Sequence, residues 1–403
     1  MLTALCGSAF LYLAFWGVSN RLLESLLALG FFALLLSGDR RRWFWSGFFL
    51  GLLWFYWIGI SFLHYGHPWA IPFVDLAIAL VYGLYFWLFA WLSDMLTQSI
   101  NRSFSILHSP FSIHSSYLKG LALLSMSYAH PLGFDWFKPE LVLVHSYFGV
   151  DKGSFALLLA GVLLIRDTFQ RSRRPKMPGR ILFSLAALFC FFSALDLRQP
   201  HILPSDPSGR IVLVSTRVPV EHKWQRAYLR PQIETVFQAI DKAIREKARL
   251  VILPESVLPF FLNTEAEILQ PLLQRSRRID IILGALYLSP GGEHRNSAYL
   301  FQRGHFQVAD KAVLVPFGEA NPLPHWAGKW INRIFFDGAP DYRPAAHPGT
   351  FTIEGRKYHI GVCYEGTSER LYTDRPKRLI LISNNGWLHP SVEPTLQRLL
   401  LEY

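Results

Sequence analysis

The first 200 residues carry 24 Asp, Glu, Lys or Arg side chains, whereas the remaining 203 carry 45. Between those scarce charges stand apolar runs, and about 20 mainly apolar residues are enough to cross a bilayer as a helix. Seven stretches qualify, at 2–18, 22–38, 43–63, 71–95, 117–135, 150–165 and 181–197. His130 and Pro131 interrupt the fifth, and the sixth is short and begins at Asp151-Lys152. Residues 97–116 are Ser-rich and read as a loop. The first run has neither a basic start nor a small-residue cleavage site, so no cleavable signal peptide is expected. The chain therefore divides into a membrane domain over 1–198, a Pro-rich linker over 199–209 and a globular domain over 210–403.

The net charge is +11, but 11 of the 40 Lys and Arg lie in alternate short loops between the apolar runs. Those are Arg40, Arg41, Arg42, Arg102, Lys119, Arg166, Arg171, Arg173, Arg174, Lys176 and Arg180. The opposite loops hold four, namely Arg21, Lys138, Lys152 and Arg198. Short basic loops stay cytoplasmic, so the charge reads as topology and no nucleic-acid partner is expected. Seven spans place the amino terminus in the cytoplasm and the globular domain across the membrane. Trp43, Trp45, Trp54, Trp57, Trp69, Trp87 and Trp91 fall mainly near run ends, as an interfacial belt would. Asp75 and Asp94 sit near the ends of the fourth run, with no intramembrane chain of acids and bases to suggest an ion path.

In the second half, apolar strands alternate with amphipathic stretches. Strands are expected at 210–215, at RLVILPE ending on Glu255, and at 280–288, 296–302, 305–310, 357–363 and 379–384. Helices are expected at 230–247 and 264–276, and another from about 391. This order predicts an α/β domain, whose functional residues tend to sit at the carboxyl ends of strands. Three such ends carry reactive groups: Glu255 after VILP, Lys311 after FQVAD and Cys363 after YHIGV. The three cysteines form no disulfide framework, and Cys6 and Cys190 lie in apolar runs, so Cys363 is the one thiol placed for chemistry. A carboxylate, an ammonium and a thiol form a working set. The carboxylate takes the thiol proton, the thiolate attacks an acyl carbon, and the ammonium stabilises the oxyanion. No metal or cofactor is needed for this.

LPES, DKAVLVPFGE and GVCYEG resemble the Glu, Lys and Cys motifs of the nitrilase superfamily, in matching order and spacing. Within that superfamily, a seven-helix preamble resembles the apolipoprotein N-acyltransferase family. The resemblance implies a multi-pass helical membrane domain followed by a nitrilase-like αββα sandwich. It implies Glu255 as general base, Lys311 as oxyanion-stabilising cation and Cys363 as nucleophile. Glu319 of PFGE matches a supporting glutamate, and Tyr364 and Glu365 match the residues after the nucleophile. The backbone N–H of Tyr364 is then a candidate oxyanion donor. Trp224 lies where the family has a substrate-contacting tryptophan, with core packing an equal reading. Trp387 of SNNGW matches a tryptophan near the site, and Gly386 beside it is expected to loosen that loop. The aromatic stretch 321–336 reads either as acyl-chain access or as a lid or core segment.

The implied reaction is ping-pong. A phospholipid donates an acyl chain to Cys363, and the amino group of a diacylglyceryl-modified apolipoprotein takes it from the thioester. Both substrates belong to a bacterial inner membrane, with the catalytic domain periplasmic. The chain ends in the helix begun near Pro394, where longer relatives continue, so a C-terminal truncation is expected. The competing readings are a membrane-tethered nitrilase-type amidase and an inactive truncated membrane protein.

Overall fold

The computed structural model describes residues 1–106, 113–170, 177–198, 210–216, 218–335, 338, 340–388 and 390–403. The expected linker at 199–209 lies outside these residues, as do the basic side chains at 171, 173, 174 and 176. The chain forms two compact units, the first of residues 1–63, 67–200 and 390–403, and the second of 64–66 and 201–389.

The first unit is helical. Its helices are α1 (Leu2–Phe15), α2 (Arg21–Leu36), α3 (Arg40–Phe55), α4 (Trp57–His64), α5 (Ile71–Ile106), α6 (Ser115–Met126), α7 (Lys152–Gln170) and α8 (Met177–Ser193). Each of the seven expected stretches contains a helix. By length and apolar composition, the continuous helix Pro68–Ile106 is able to cross a membrane, and α3 with α4 makes a second candidate bent by 42°. The bend falls inside the expected 43–63 run. There the Trp57 indole N–H donates to the Trp54 carbonyl at 2.7 Å, drawing that acceptor out of the helical ladder.

The Ser-rich stretch is a correction, because α5 continues to Ile106. Thr97 and Ser103 satisfy their hydroxyls on carbonyls one turn back, so polar side chains there do not end the helix. The fifth stretch is helical only to Met126, where the Tyr85 hydroxyl donates to the Met126 and Ala129 carbonyls. Asp151 starts α7, since its carboxylate accepts from the Gly153 and Ser154 N–H groups at 3.0 Å in the manner of an N-cap. Trp43, Trp54 and Trp57 are buried among helices rather than placed in a belt. The Trp43 and Trp54 indoles donate to the Leu35 carbonyl and the Ser8 hydroxyl. Asp94 pairs with Arg40 at 2.7 Å and with Lys119 at 3.3 Å.

The second unit holds α9 (Val220–Lys223), α10 (Arg226–Arg245), α11 (Ala266–Arg275), α12 (His325–Phe335) and α13 (Glu369–Tyr372). Its strands are β1 (Ile211–Leu213), β2 (Leu250–Ile252), β3 (Leu258–Phe261), β4 (Asp280–Leu288), β5 (His294–Gln302), β6 (His305–Asp310), β7 (Thr350–Ile353), β8 (Arg356–Val362) and β9 (Leu379–Ile382). One sheet runs β1-β2-β4-β5-β6, with β3 also paired to β4. The first three strands of that order are parallel, and β5 and β6 return antiparallel. The second sheet runs β7-β8-β9.

Alternation sorts the side chains of each strand between two faces. Val251, Ile281, Leu283, Tyr299 and Phe301 meet Val236 and Ile240 of α10 and Leu272 of α11. Leu250, Ile282, Leu300 and Ala309 meet Phe351, Ile360, Val362 and Ile382 of the second sheet. The layers are therefore helix, sheet, sheet, with the short α13 against the outer face of the second sheet through Leu371 and Gly361. The last helix, α14 (Glu393–Glu402), groups with the helical unit and not with the sheets to which 210–403 was assigned. Tyr403 donates to Glu140 and Glu402 pairs with His145 there.

Candidate active site

Glu255 lies in the break between β2 and β3, which both run parallel to β4. Gly284 of β4 makes that break possible. A Cβ there would stand 2.5 Å from the Glu255 Cα and the Ser256 nitrogen, inside any tolerable backbone contact. The Gly284 N–H donates to the Pro254 carbonyl at 3.1 Å and fixes the segment. Ser256 then turns in the left-handed region, with φ +46°. The Glu255 carboxylate, 7 % exposed, points toward the end of the sheet where β6 finishes.

Lys311 follows the last residue of β6, and its N–H donates to the Asn296 carbonyl at 2.9 Å. Its ammonium is 1 % exposed and lies 2.7 Å from the Glu319 Oε2 and 3.9 Å from the Glu255 Oε1. Glu319 is held by a tight turn, in which its Oε2 accepts from the Val315 N–H at 2.9 Å. Asn296 of β5 joins the two acids. Its amide donates to Glu255 at 2.9 Å and to Glu319 at 2.7 Å. A single ammonium and a single amide thus hold two carboxylates together in a site where burial favours the neutral forms.

Cys363 follows β8 directly, with φ +52°. A non-glycine residue held there stores on the order of 1–2 kcal/mol of backbone strain. Glu365 fixes this turn to the lysine segment. Its carboxylate accepts from the Val362 N–H at 3.1 Å and from the Ala312 N–H at 2.8 Å. The residue before the thiol and the residue after the ammonium therefore hang on one buried side chain. Cys363 is half-buried and close to both ammonium groups, where it adds to the upward shift of Lys311 and only partly offsets the burial that lowers Lys223.

Burial pushes the Glu255 carboxyl above its usual range, Lys311 opposes that shift, and Glu319 adds to it. For Lys311, burial would lower the pKa, but Glu319, Glu255 and Cys363 together hold it above the ordinary lysine value. Burial also raises Glu365, against its two N–H donors. The arrangement provides a carboxylate poised to accept a proton and a cation that stays charged.

Sequence reasoning named Glu255, Lys311, Glu319, Cys363, Tyr364 and Glu365, but it missed two groups here. Asn296 carries a signal, since an asparagine inside a strand as apolar as SAYLF is out of keeping with strand composition. Lys223, buried beside Glu255, carries none. Trp224, next to it, is 42 % exposed, which excludes the core-packing reading. Trp387 stacks on Tyr65 with ring centroids 5.1 Å apart. Gly386 is a correction: a Cβ there would meet the Val220 side chain at 2.8 Å, so the glycine lets this loop close on α9 and does not loosen it. In the 321–336 stretch, Trp326 and Trp330 of α12 are exposed, so they are not core. Among the described residues no cluster of His, Cys, Asp and Glu is arranged to hold a metal ion.

Comparison with known proteins gives three findings. The family profile described as the apolipoprotein N-acyltransferase integral membrane domain matches residues 1–190. Apolipoprotein N-acyltransferase of Wolinella succinogenes is 39 % identical over 401 residues, covering 99 % of this chain and 89 % of that protein. The protein of the same name from Helicobacter pylori is 33 % identical, over 94 % of this chain and 82 % of that one. Among solved structures, an amidase from Nesterenkonia sp. overlaps 43 % of this chain and 64 % of its own at 14 % identity, with a TM-score of 0.30. Nit3 of Saccharomyces cerevisiae, a nitrilase-superfamily member, overlaps 43 % and 63 % at 17 % identity, with a TM-score of 0.29.

Proposed function

Because this chain belongs to the apolipoprotein N-acyltransferase family, we propose that it N-acylates lipoproteins at the membrane. The donor is a phospholipid and the acceptor is the α-amino group of an amino-terminal diacylglyceryl-cysteine. The observation that carries this reading is the 39 % identity along nearly the whole of both chains. The clustering of Glu255, Lys311 and Glu319 beside Cys363 supports it with chemistry.

In this reading Glu255 takes the Sγ proton of Cys363, and the thiolate attacks the sn-1 ester carbonyl. Lys311 and the Tyr364 N–H meet the oxyanion. The lysophospholipid alkoxide leaves with the proton held on Glu255, and a thioester remains. The acceptor amine then attacks the thioester and gives its proton to Glu255. The tetrahedral adduct collapses to an amide, and the thiolate recovers a proton from Glu255. Glu319, Asn296 and Glu365 keep these groups in register, and Trp224 and Trp387 contact substrate. The exposed face of α12 guides the acyl chain.

The reading further assigns residues 1–198 to about seven membrane spans, 199–209 to a linker and 210–389 to an αββα catalytic domain. The 11-to-four distribution of Lys and Arg supports a cytoplasmic amino terminus and a periplasmic catalytic domain at a bacterial inner membrane. A reporter active only in the periplasm, fused after Pro207, is expected to be active, and a silent one would reverse the orientation. The function itself is tested by incubating the purified protein with labelled phospholipid and a diacylglyceryl lipopeptide. Label in the peptide amide is expected. Hydrolysis of small amides without such transfer would replace this reading by an amidase.

A further inference from the structure

Lys223 is a second buried ammonium of the site. It ends α9, is 6 % exposed, and donates from Nζ to the Glu255 carbonyl at 3.3 Å. Gln232 of α10 holds it in place, its amide donating to the Lys223 carbonyl at 3.2 Å. The charged and titratable groups that face it are Glu255, from the break between β2 and β3, and Cys363, after β8.

Counting charge gives Lys223 a purpose. Glu255 and Glu319 carry two negative charges, and Lys311 supplies one positive charge beside them. When Glu255 takes the proton of Cys363, the negative charge moves to sulfur and the total is unchanged. Without Lys223 the reactive state would hold one more uncompensated negative charge in a largely dehydrated site, which is costly. Glu365 adds a third acid beside Lys311, so Lys223 supplies a second positive charge where acids outnumber cations.

We propose that Lys223 is a positioning residue that anchors the Glu255 main chain through its carbonyl and offsets the charge of the Cys363 thiolate. The inference rests on the acyltransferase reading only in taking Cys363 as the nucleophile. Burial lowers the Lys223 ammonium to about 8, with Glu255 and Cys363 drawing it back up. The cation is therefore present at neutral pH and fades in mildly alkaline solution, and its help to the thiolate fades with it.

The test is iodoacetamide alkylation of Cys363 in the full-length protein in detergent, from about pH 6 to about pH 10. Peptide mass spectrometry separates it from Cys6 and Cys190. Lys223→Met is expected to slow alkylation at neutral pH by roughly threefold to tenfold and to move its midpoint upward. Lys223→Arg, whose charge is permanent, is expected to keep neutral-pH reactivity and to lose the inflection near the lysine pKa. It answers the question even if Lys223→Met fails to fold. A Lys223→Met profile matching the unaltered protein would overturn the proposal, as would an unchanged inflection in Lys223→Arg. Acyl uptake from phospholipid is measured in parallel. A Lys223-dependent thiol profile without acyl uptake would keep this inference and remove the acyltransferase reading.

Discussion

Two buried glutamates, one in each unit, are held in opposite ways. Glu140 of the helical unit is fully buried and saturated with donors. It accepts from the Ser127 hydroxyl at 2.7 Å, from the Tyr403 hydroxyl at 2.8 Å and from the Lys152 ammonium. Glu255 of the sheet unit accepts from the Asn296 amide at 2.9 Å, and Lys311 stands back at 3.9 Å. A carboxylate held by three donors is a strut, because a proton added to either oxygen would compete with a donor already there. A carboxylate whose ammonium stands back, in a site where burial already raises its pKa, can take a proton and return it. Burial is common to the two, and what differs is how firmly donors hold each carboxylate.

Substitutions can break this comparison. Glu255→Gln keeps the shape and the Asn296 neighbour but removes the base. Acylation of Cys363 is expected to fall by ~10²–10⁴, read as the rate of label uptake from phospholipid. Lys311→Met is expected to cost ~10²–10³ in the same assay, the range for losing one oxyanion donor. Glu140→Gln should behave otherwise. Its thermal midpoint should drop, by the equivalent of about 1–3 kcal/mol for a buried network broken beside a half-exposed lysine, while the rate per folded molecule stays the same. A rate loss in Glu140→Gln at unchanged stability would erase the distinction. Glu365→Gln is the mildest, turning an amide N–H toward a backbone N–H that needs an acceptor, for about 1–2 kcal/mol.

The pH dependence sharpens the same contrast. Glu255 works only when ionised, and its pKa lies above the ordinary carboxylate value. The acid limb of acylation is therefore expected above the range of a free glutamate, near 4.3, with activity rising as pH increases through it. A limb at or below that value would contradict the described environment.

Much of this was legible in the sequence, and the exceptions have physical causes. The strand at 280–288 reads directly because a run of apolar residues in a central strand is covered on both faces. Glu255, Lys311 and Cys363 were found because each stands just past a strand expected from the sequence. β3 carries Pro259 and β7 interrupts its apolar residues with Thr350 and Thr352, so neither shows the unbroken apolar run that marked the other short strands, and both went unread. The end of α5 was misplaced because Thr97 and Ser103 bond within their own helix, which composition does not reveal. Lys223 was invisible because its role depends on the sheet bringing Glu255 and Cys363 to it from 32 and 140 positions along the chain.

The central claim is that Cys363, served by Glu255, carries an acyl chain. Purified protein in detergent, incubated with a phospholipid of known acyl composition, should gain one acyl mass on the Cys363 peptide. That adduct should be labile to hydroxylamine, as a thioester is, and absent from Cys363→Ala. An acyl adduct that persists in Cys363→Ala, or an unaltered protein that gains none, would contradict the account.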